Sequence, residues 1–357
     1  MTKSLPGFSG KKILVVGGAG FVGSNLVHRI LEDGPEQIVV IDNLLSADAV
    51  NVPADKRVNF IKAPITDDAV LDHLPDDLDL VFHLACFHGN QSSIADPMAD
   101  HANNTLTSLK LFNRLKDISS LDKVVYAAAG CAVAKKTRDE PAATSEDAPV
   151  ELFHDSPYSI SKLVGEMYGN FFQRRYGLPF VKARFQNVYG PREILGAGEW
   201  RGTPHTVWRN VTPTFIFKAL HGEALPLING GQDGRDFIYV GDLVEGLLRA
   251  AAFGEPGEAY NLGSGCETRI RDLAALINRV TENPTPVAME PARDWDNSGR
   301  RYGDPTKSRE QIGFVAATPL EAGLQATVAW TRDNLGQIKR CMSRHGEHLP
   351  AIKAYLA

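Results

Sequence analysis

The chain reads as an α/β protein: a doubly wound parallel sheet, followed by a smaller mixed α/β lobe. Three observations carry that reading. Short apolar runs alternate with helically spaced segments from Lys12 to about Phe185. The runs are nearly continuous in apolar residues, as strands covered on both faces are. A glycine-spaced turn joins the first run to the first helical segment.

The elements follow in order. Residues 1–10 read as a loose tail. Ile13–Val16 is the first strand, and Gly17, Gly20 and Gly23 are spaced G-x-x-G-x-x-G after it. Strand, tight glycine turn and helix N-terminus is an arrangement that brings backbone N–H groups to a phosphate, where the helix dipole favours negative charge. The next strand, Ile38–Ile41, ends in Asp42, an acid placed to hold the adenosine ribose hydroxyls. That context makes the turn a dinucleotide site, with NAD preferred to NADP. Further strands are expected at Val58–Ile61, Leu80–Leu84, Lys123–Ala129 and Phe180–Phe185, with helical stretches such as Asn25–Leu31 and Thr105–Leu115 between them. Right-handed crossovers then give a Rossmann-type sheet whose ligand lies at the strands' carboxyl ends.

After Pro191 the texture changes, with Gly, Pro, Trp and Arg punctuating residues 190–235. Helices are expected near Thr214–His221, Asp242–Ala252, Ile270–Glu282 and Leu320–Asn334. Residues 135–150 and 283–299 read as loops. The expected division is a dinucleotide-binding domain over 11–190, taking in parts of 230–265, and a mainly substrate-binding lobe over 191–357.

Composition narrows the function. The chain has 357 residues, 43% hydrophobic and 23% charged, with net charge −5. No basic excess argues for nucleic acid. Cys86, Cys131, Cys266 and Cys341 lack C-x-x-C spacing, so neither a disulfide framework nor a zinc ribbon is suggested. The N-terminus has no apolar signal-like core and no apolar run approaches a membrane span. The expectation is a cytoplasmic protein with no membrane partner. His83-x-x-Cys86-x-His88 hints at a metal, but the odd separation of His83 and Cys86 sends them to opposite faces of a strand, and no metal is expected.

The chemistry is read at Tyr158-Ser159-Ile160-Ser161-Lys162, just after Pro157. On a helix, positions i and i+4 share a face. A tyrosine with an ordinary pKa of about 10 is too weak a base at neutral pH. A neighbouring ammonium lowers such a pKa by about 1–3, and a cationic nicotinamide pushes the same way. Tyr158 then serves as acid/base for a hydroxyl proton while hydride leaves carbon.

The segments GGAGFVGSNL, IDNL, VFHLA, SPYSISKLVGE, RFQNVYGPRE, GGQDGRDFIYVGDLVEGL, YNLGSG and RRYGDPTKSREQIGF resemble the extended short-chain dehydrogenase/reductases, and among them the nucleotide-sugar epimerases and dehydratases. The resemblance spans about residues 12–335. It implies that Gly17, Gly20 and Gly23 cradle the NAD pyrophosphate beside Phe21 and Val22. Asp42 and Asn43 hold the adenosine ribose, and Leu84, Ala85 and Asn103 lie on the nicotinamide side. Tyr158 is the base, and Lys162 orients it and binds the nicotinamide ribose. Asn187 and Asn210 match asparagines that contact the nucleotide sugar, Arg235 and Arg301 match arginines that grip its diphosphate, and Asp304 matches an acid on its ribose. Arginine forks suit a diphosphate. A homodimer through helices near 100–116 and 158–174 is implied by analogy.

Three departures stand out. The family's triad Ser or Thr falls on Ala129, which cannot donate; losing such a donor lowers a rate about 10²–10³-fold unless something replaces it. Cys131 occupies the slot where the family's GDP-sugar 3,5-epimerases carry a cysteine acid/base, and is either that or a small packing residue. Arg201 lies in the loop where those enzymes place their second acid/base; as a poor proton donor it is expected to contact a substrate anion. Second, Pro64 stands where the family has an Asp for the adenine amino group, and whether Asp67, three residues on, compensates is left open. Third, His88 follows the His-Leu-Ala strand end and is placed to face the sugar.

The leading reading is an NAD-dependent nucleotide-sugar epimerase that transiently oxidises a sugar hydroxyl to a keto intermediate. A nucleotide-sugar 4,6-dehydratase lacks its Asp-Glu pair, since Gly130 and Cys131 stand there. A UDP-uronate decarboxylase lacks its usual Glu. A non-catalytic NAD-binding sensor or scaffold is at odds with retention of Tyr158, Lys162, Arg235 and Arg301. A dehydrogenase of a non-nucleotide substrate leaves those arginines without a task. The sugar is expected to be decided by loop 193–210.

Overall fold

The structure, a computed structural model, describes residues 3–130, 141–150, 152–293 and 299–356. Cys131 and residues 135–140 of the expected 135–150 loop fall outside these. Seven parallel strands form the central sheet: β1 (Lys12–Val16), β2 (Gln37–Asp42), β3 (Val58–Lys62), β4 (Leu80–His83), β5 (Lys123–Ala129), β6 (Phe180–Phe185) and, from the later chain, β10 (Ala259–Leu262). Their order is β10-β6-β5-β4-β1-β2-β3. The winding direction reverses between β1 and β4, which opens a crevice at their carboxyl ends. Val16 pairs with Ile41 on one side and His83 on the other.

Each strand is apolar on both faces because each face is covered. One layer packs Ile13, Val15, Leu26, Ile30, Leu243 and Leu247. The opposite layer packs Leu14, Val16, Leu111, Phe112, Tyr126 and Phe180. The helices on the first face are α1 (Phe21–Glu32) and the later Val240–Phe253. On the second, α2 (Asp68–Asp72) is followed by α3 (Asn90–Ala95), α4 (Pro97–Asp100) and α5 (Leu106–Leu115). Between the last two, His101–Thr105 widens into a π-turn. The helical run therefore starts a full two turns before the Thr105 start expected from apolar spacing. Asp96 caps it and Pro97 opens it, signals that lie outside the apolar period.

The long helix α6 (Pro157–Tyr176) carries Tyr158 and Lys162. Ser156 caps it, its Oγ accepting from the Ser159 amide, and Gly177 ends it in the left-handed region at φ 74°. A side chain at Gly165 would collide with the Tyr126 hydroxyl, so the helix lies close upon β5. A buried pair ties α6 to β6: Arg184 donates from Nε and Nη2 to Glu166 at 2.9 and 2.8 Å.

The smaller sheets lie beyond β6. β7 (Asn187–Tyr189) pairs with β9 (Gly234–Tyr239), which also pairs with β11 (Glu267–Arg269). β8 (Pro226–Ile228) pairs with β12 (Ala288–Glu290). That last strand sits inside a segment read from sequence as loop; three residues beside prolines carry no detectable period. Helices α7 (Val211–Leu220), α8 (Val240–Phe253), α9 (Ile270–Thr281) and α10 (Leu320–Asp333) follow, within a few residues of the expected positions. Their core gathers Phe215, Ile216, Leu273, Ile277 and Leu324.

Candidate functional site

A single cavity of about 710 Å³ runs along the carboxyl ends of the strands and into the smaller lobe. Its first part is built by the β1–α1 turn. Gly17 has φ +86°, and a Cβ there would lie 2.5 Å from the Ala85 amide nitrogen; one at Gly23 would strike the Gly17 carbonyl. Only glycine therefore lets the turn, the helix and the β4 loop meet. Gly20 caps α1 without a side-chain bond, so the first-turn N–H groups of Phe21 and Val22 face the cavity without a partner inside the helix. At the end of β2, Asp42 accepts from the Ala19 amide at 3.0 Å and the Leu44 amide at 2.8 Å. Burial pushes its carboxyl upward, against those N–H groups. Asn43 donates to Asn103 Oδ1 at 3.3 Å, and Leu84 and Ala85 line the wall opposite the glycines. A glycine cradle, free helix N–H groups and an acid at the next strand end fit a dinucleotide of the NAD type.

Pro64, Ile65 and Thr66 line the far end, past Asp42. Asp67 is turned away. Its side chain caps α2 by accepting from the Ala69 amide at 3.0 Å, so it does not stand in for the missing acid.

The middle of the cavity holds Tyr158 and Lys162 on one face of α6. Lys162 donates to the Ala127 carbonyl at 2.8 Å, and its ammonium lies 5.3 and 5.9 Å from the ring centres of Tyr126 and Tyr158. The Tyr158 hydroxyl is nonetheless held well above the ordinary phenol value, first by burial and then by the Cys86 thiol that hydrogen-bonds it. The lowering expected from Lys162 alone is thus outweighed by desolvation in this closed setting. Ala129 lines the cavity with its methyl group where a hydroxyl was expected. Cys131 lies outside the described residues. The His88 ring stands 5.8 Å from that of Tyr158, edge to face, and burial drives its pKa down to about 3, so it is a neutral imidazole.

At the other end, Asn187 comes from β7, Arg235 from β9 and Arg301 from the strand-like segment beside it, and all three line the cavity. Arg235 donates to the Gly234 and Gly299 carbonyls at 2.7 and 2.6 Å. Its neighbour in the Arg-Arg doublet, Arg300, is committed to Glu267 through two bonds of 2.8 and 2.7 Å. Asn210 precedes α7 and donates to Glu193.

Two expected substrate contacts are not on this wall. Arg201 is 5% exposed, donates to the His88 carbonyl at 2.9 Å and packs over Phe87. It props the His88 loop from behind. Asp304 lies by a different cavity, with Oδ1 accepting from the Thr306 amide at 2.9 Å. An Asp two residues before an open helix start takes that capping bond locally, which a motif match does not reveal.

The family model described as "NAD dependent epimerase/dehydratase family" matches residues 13–263. The chain belongs to that family. It is an NAD-dependent enzyme of the epimerase/dehydratase type, with the fold of the extended short-chain dehydrogenases. The Bordetella bronchiseptica enzyme WbmF, solved in complex with NAD+, superposes with a TM-score of 0.87 at 52% identity, over 96% of this chain and 99% of that one. The same enzyme solved with NAD+ and UDP gives 0.86 at 53% identity, over 96% and 98%. A UDP-glucose 4-epimerase of Mycolicibacterium smegmatis is 32% identical over 90% of this chain and 99% of its own.

The epimerase/dehydratase site also contains contacts that the sequence did not reveal. Cys86 touches the Tyr158 hydroxyl. Asn104, in the π-turn, accepts from the Phe87 amide at 2.7 Å and donates to Ser161 at 3.2 Å, which fixes the Cys86–His88 loop against α6. A π-turn at a functional site was the available signal, but it is a backbone feature with no sequence period. Among the described residues no group of three or more His, Cys, Asp and Glu side chains stands close enough to hold a metal.

Proposed function

We propose that this enzyme inverts a hydroxyl-bearing carbon of a UDP-sugar by transient oxidation and re-reduction. The observation that carries the reading is the continuity of one cavity from Asp42 and the glycine turn, past Tyr158, to Arg235 and Arg301. A cofactor, a reacting sugar and a diphosphate have room in line. UDP is favoured because WbmF was solved with it, and C4 because of the name of the mycobacterial relative.

Tyr158 takes the sugar hydroxyl proton and later returns it to the keto oxygen. NAD+, which the Gly17–Gly23 turn and Asp42 would hold, would supply the hydride chemistry at the same carbon. Lys162, together with the positive charge that NAD+ would bring, would lower the Tyr158 hydroxyl from the raised value it has in the closed site, so that the phenolate is present before it takes the sugar proton. Arg235 and Arg301 grip the diphosphate, with Asn187 and Asn210 beside them. The test is to incubate the protein with UDP-sugars in heavy water and follow products by NMR. An inverted sugar without solvent deuterium supports the reading. A 4-keto-6-deoxy product, or deuterium at the inverted carbon, overturns it.

A homodimer is part of the proposal. Ile160, Met167 and Phe171 are exposed along one stripe of α6, with Met98 and Leu106 exposed on the neighbouring helical run. Apolar residues at that spacing need a partner, and a second copy of the same helices supplies one. Cytoplasmic location is proposed with it; the described cysteines, Cys86, Cys266 and Cys341, are free thiols, as a reducing compartment keeps them. Among the described residues no helix is long and apolar enough to cross a membrane.

A further inference from the structure

Glu193 has no task in the reaction above, yet it lines the same cavity. It is 5% exposed. One carboxyl oxygen accepts from Asn210, and the other, Oε2, has no hydrogen-bond partner. Its place is fixed by a strap after β7. Asn25 of α1 donates to the Pro191 carbonyl at 3.0 Å, Arg192 donates back to Asn25 at 3.0 Å, and Asn51 bridges the Arg192 and Ala19 carbonyls at 3.2 and 3.4 Å. Arg192 itself has φ +70°, the turn that brings the next side chain inward. Glu193 is therefore held beside the glycine turn and the α1 N-terminus, where a dinucleotide diphosphate fits.

A carboxylate facing a diphosphate would be repelled. A carboxylic acid would donate to it. We propose that Glu193 is a further cofactor-binding residue, which as the protonated acid donates a hydrogen bond from its free oxygen to the diphosphate of the dinucleotide. Binding then carries a proton onto the protein, and no covalent bond changes.

The surroundings favour that form. Burial pushes the Glu193 carboxyl up to about 7, with the Asn210 amide and the Arg209 charge pulling the other way. Arg209 comes from the segment ahead of α7 and is engaged by the Ser46 and Ala197 carbonyls. Asp42 of β2 acts on Arg209 from the far side. Arg192 is turned to Asn25, and the nearby His28 of α1 is held toward its neutral form by burial and by the Arg192 charge. An incoming diphosphate adds negative charge and raises the carboxyl further.

The test uses protein freed of cofactor and NAD alone, so it is independent of the sugar proposed above. For the wild type, the NAD dissociation constant should rise about tenfold or more from about pH 6 to about pH 9, because a required proton is lost. Glu193→Gln, a neutral donor at every pH, should bind as tightly as wild type at low pH and stay flat. A wild-type constant that is flat, or a Gln variant with the wild-type slope, overturns the proposal. If the variant does not fold, calorimetry of the wild type in buffers of different ionisation enthalpy decides. Proton uptake on NAD binding near pH 7.5 supports the proposal, and its absence overturns it.

Discussion

Removing one oxygen, Tyr158→Phe, isolates the proton transfer from everything else the residue does. The ring keeps its packing, edge to face with His88 at 5.8 Å and 5.9 Å from the Lys162 ammonium. What is lost is the hydroxyl, whose contact in the site is the Cys86 thiol. A thiol is a weak partner, so the stability change should stay within about 1 kcal/mol. The rate is a different matter. A positioned acid/base contributes about 10²–10⁴-fold, or about 3–5 kcal/mol of transition-state stabilisation. The Asp100 carboxylate nearby is engaged by Asn104 at 2.7 Å, burial keeps His88 neutral at pH 7, and burial lifts the Cys86 thiol above its ordinary value, so none of these groups is a ready replacement for Tyr158. The variant should therefore fold normally, bind NAD with unchanged affinity, and lose at least about 100-fold in kcat for UDP-sugar inversion followed by NMR. A kcat within about threefold of wild type, with NAD affinity intact, would refute Tyr158 as the base.

Other expected outcomes follow from the same geometry. Ala129→Ser restores a hydroxyl on the cavity wall and should raise the rate of the first oxidation step about tenfold, read as NADH absorbance in a single turnover; a fall in that rate would mean that the sugar occupies the space of the missing oxygen. Glu166→Ala strips the partner from buried Arg184 and should lower the unfolding free energy by about 3–5 kcal/mol in denaturant titration, with little change in KM. Glu193→Gln should raise the melting temperature of the cofactor-free protein at about pH 8 but hardly at about pH 5. The folded-state carboxyl is raised to about 7, so the folded protein holds a proton that the unfolded chain has released. Stability accordingly falls as pH rises through that window, and the uncharged variant escapes the loss.

The sheet and its dinucleotide end were legible because they are local. A buried parallel strand has to be apolar on both faces, and the runs at Ile13–Val16 and Phe180–Phe185 could hardly be anything else. Gly17 and Gly23 are readable because no other residue fits their backbone and contacts. Tyr158 and Lys162 are readable because one helix face carries both. Legibility fails where a side chain's task is set by a distant segment. Arg201 looks like a substrate contact until the loop closes and its guanidinium meets the His88 carbonyl. Asp304 looks like a ribose ligand until its own following amide claims it. Glu193 ends the segment RFQNVYGPRE and Cys86 lies within His83-x-x-Cys86-x-His88, but neither pattern names the task that the side chain has in the fold. Their significance comes from burial beside the glycine turn and beside the Tyr158 hydroxyl, and burial of a loop residue is a property of the assembled fold.

The departures at the centre of the site bear directly on inversion. Returning hydride to the opposite face of a keto sugar requires the sugar to turn while its diphosphate stays held. On the proposed reading Arg235 and Arg301, which line the cavity, would provide the fixed end, and the cofactor wall is fixed by glycines that tolerate no added atom. Between them the wall is small or neutral: Ala127, Ala128, Ala129, Cys86 and the uncharged ring of His88. A serine at 129 would add a hydrogen bond that helps the first oxidation, but the same bond would hold the sugar in one orientation. An alanine there gives up rate in the proton-transfer step and leaves the keto sugar free to rotate. On this argument the missing hydroxyl shifts the balance between oxidation and rotation. The Ala129→Ser variant should then release more keto sugar per inverted product than the wild type does, a ratio measurable by trapping the carbonyl with borodeuteride.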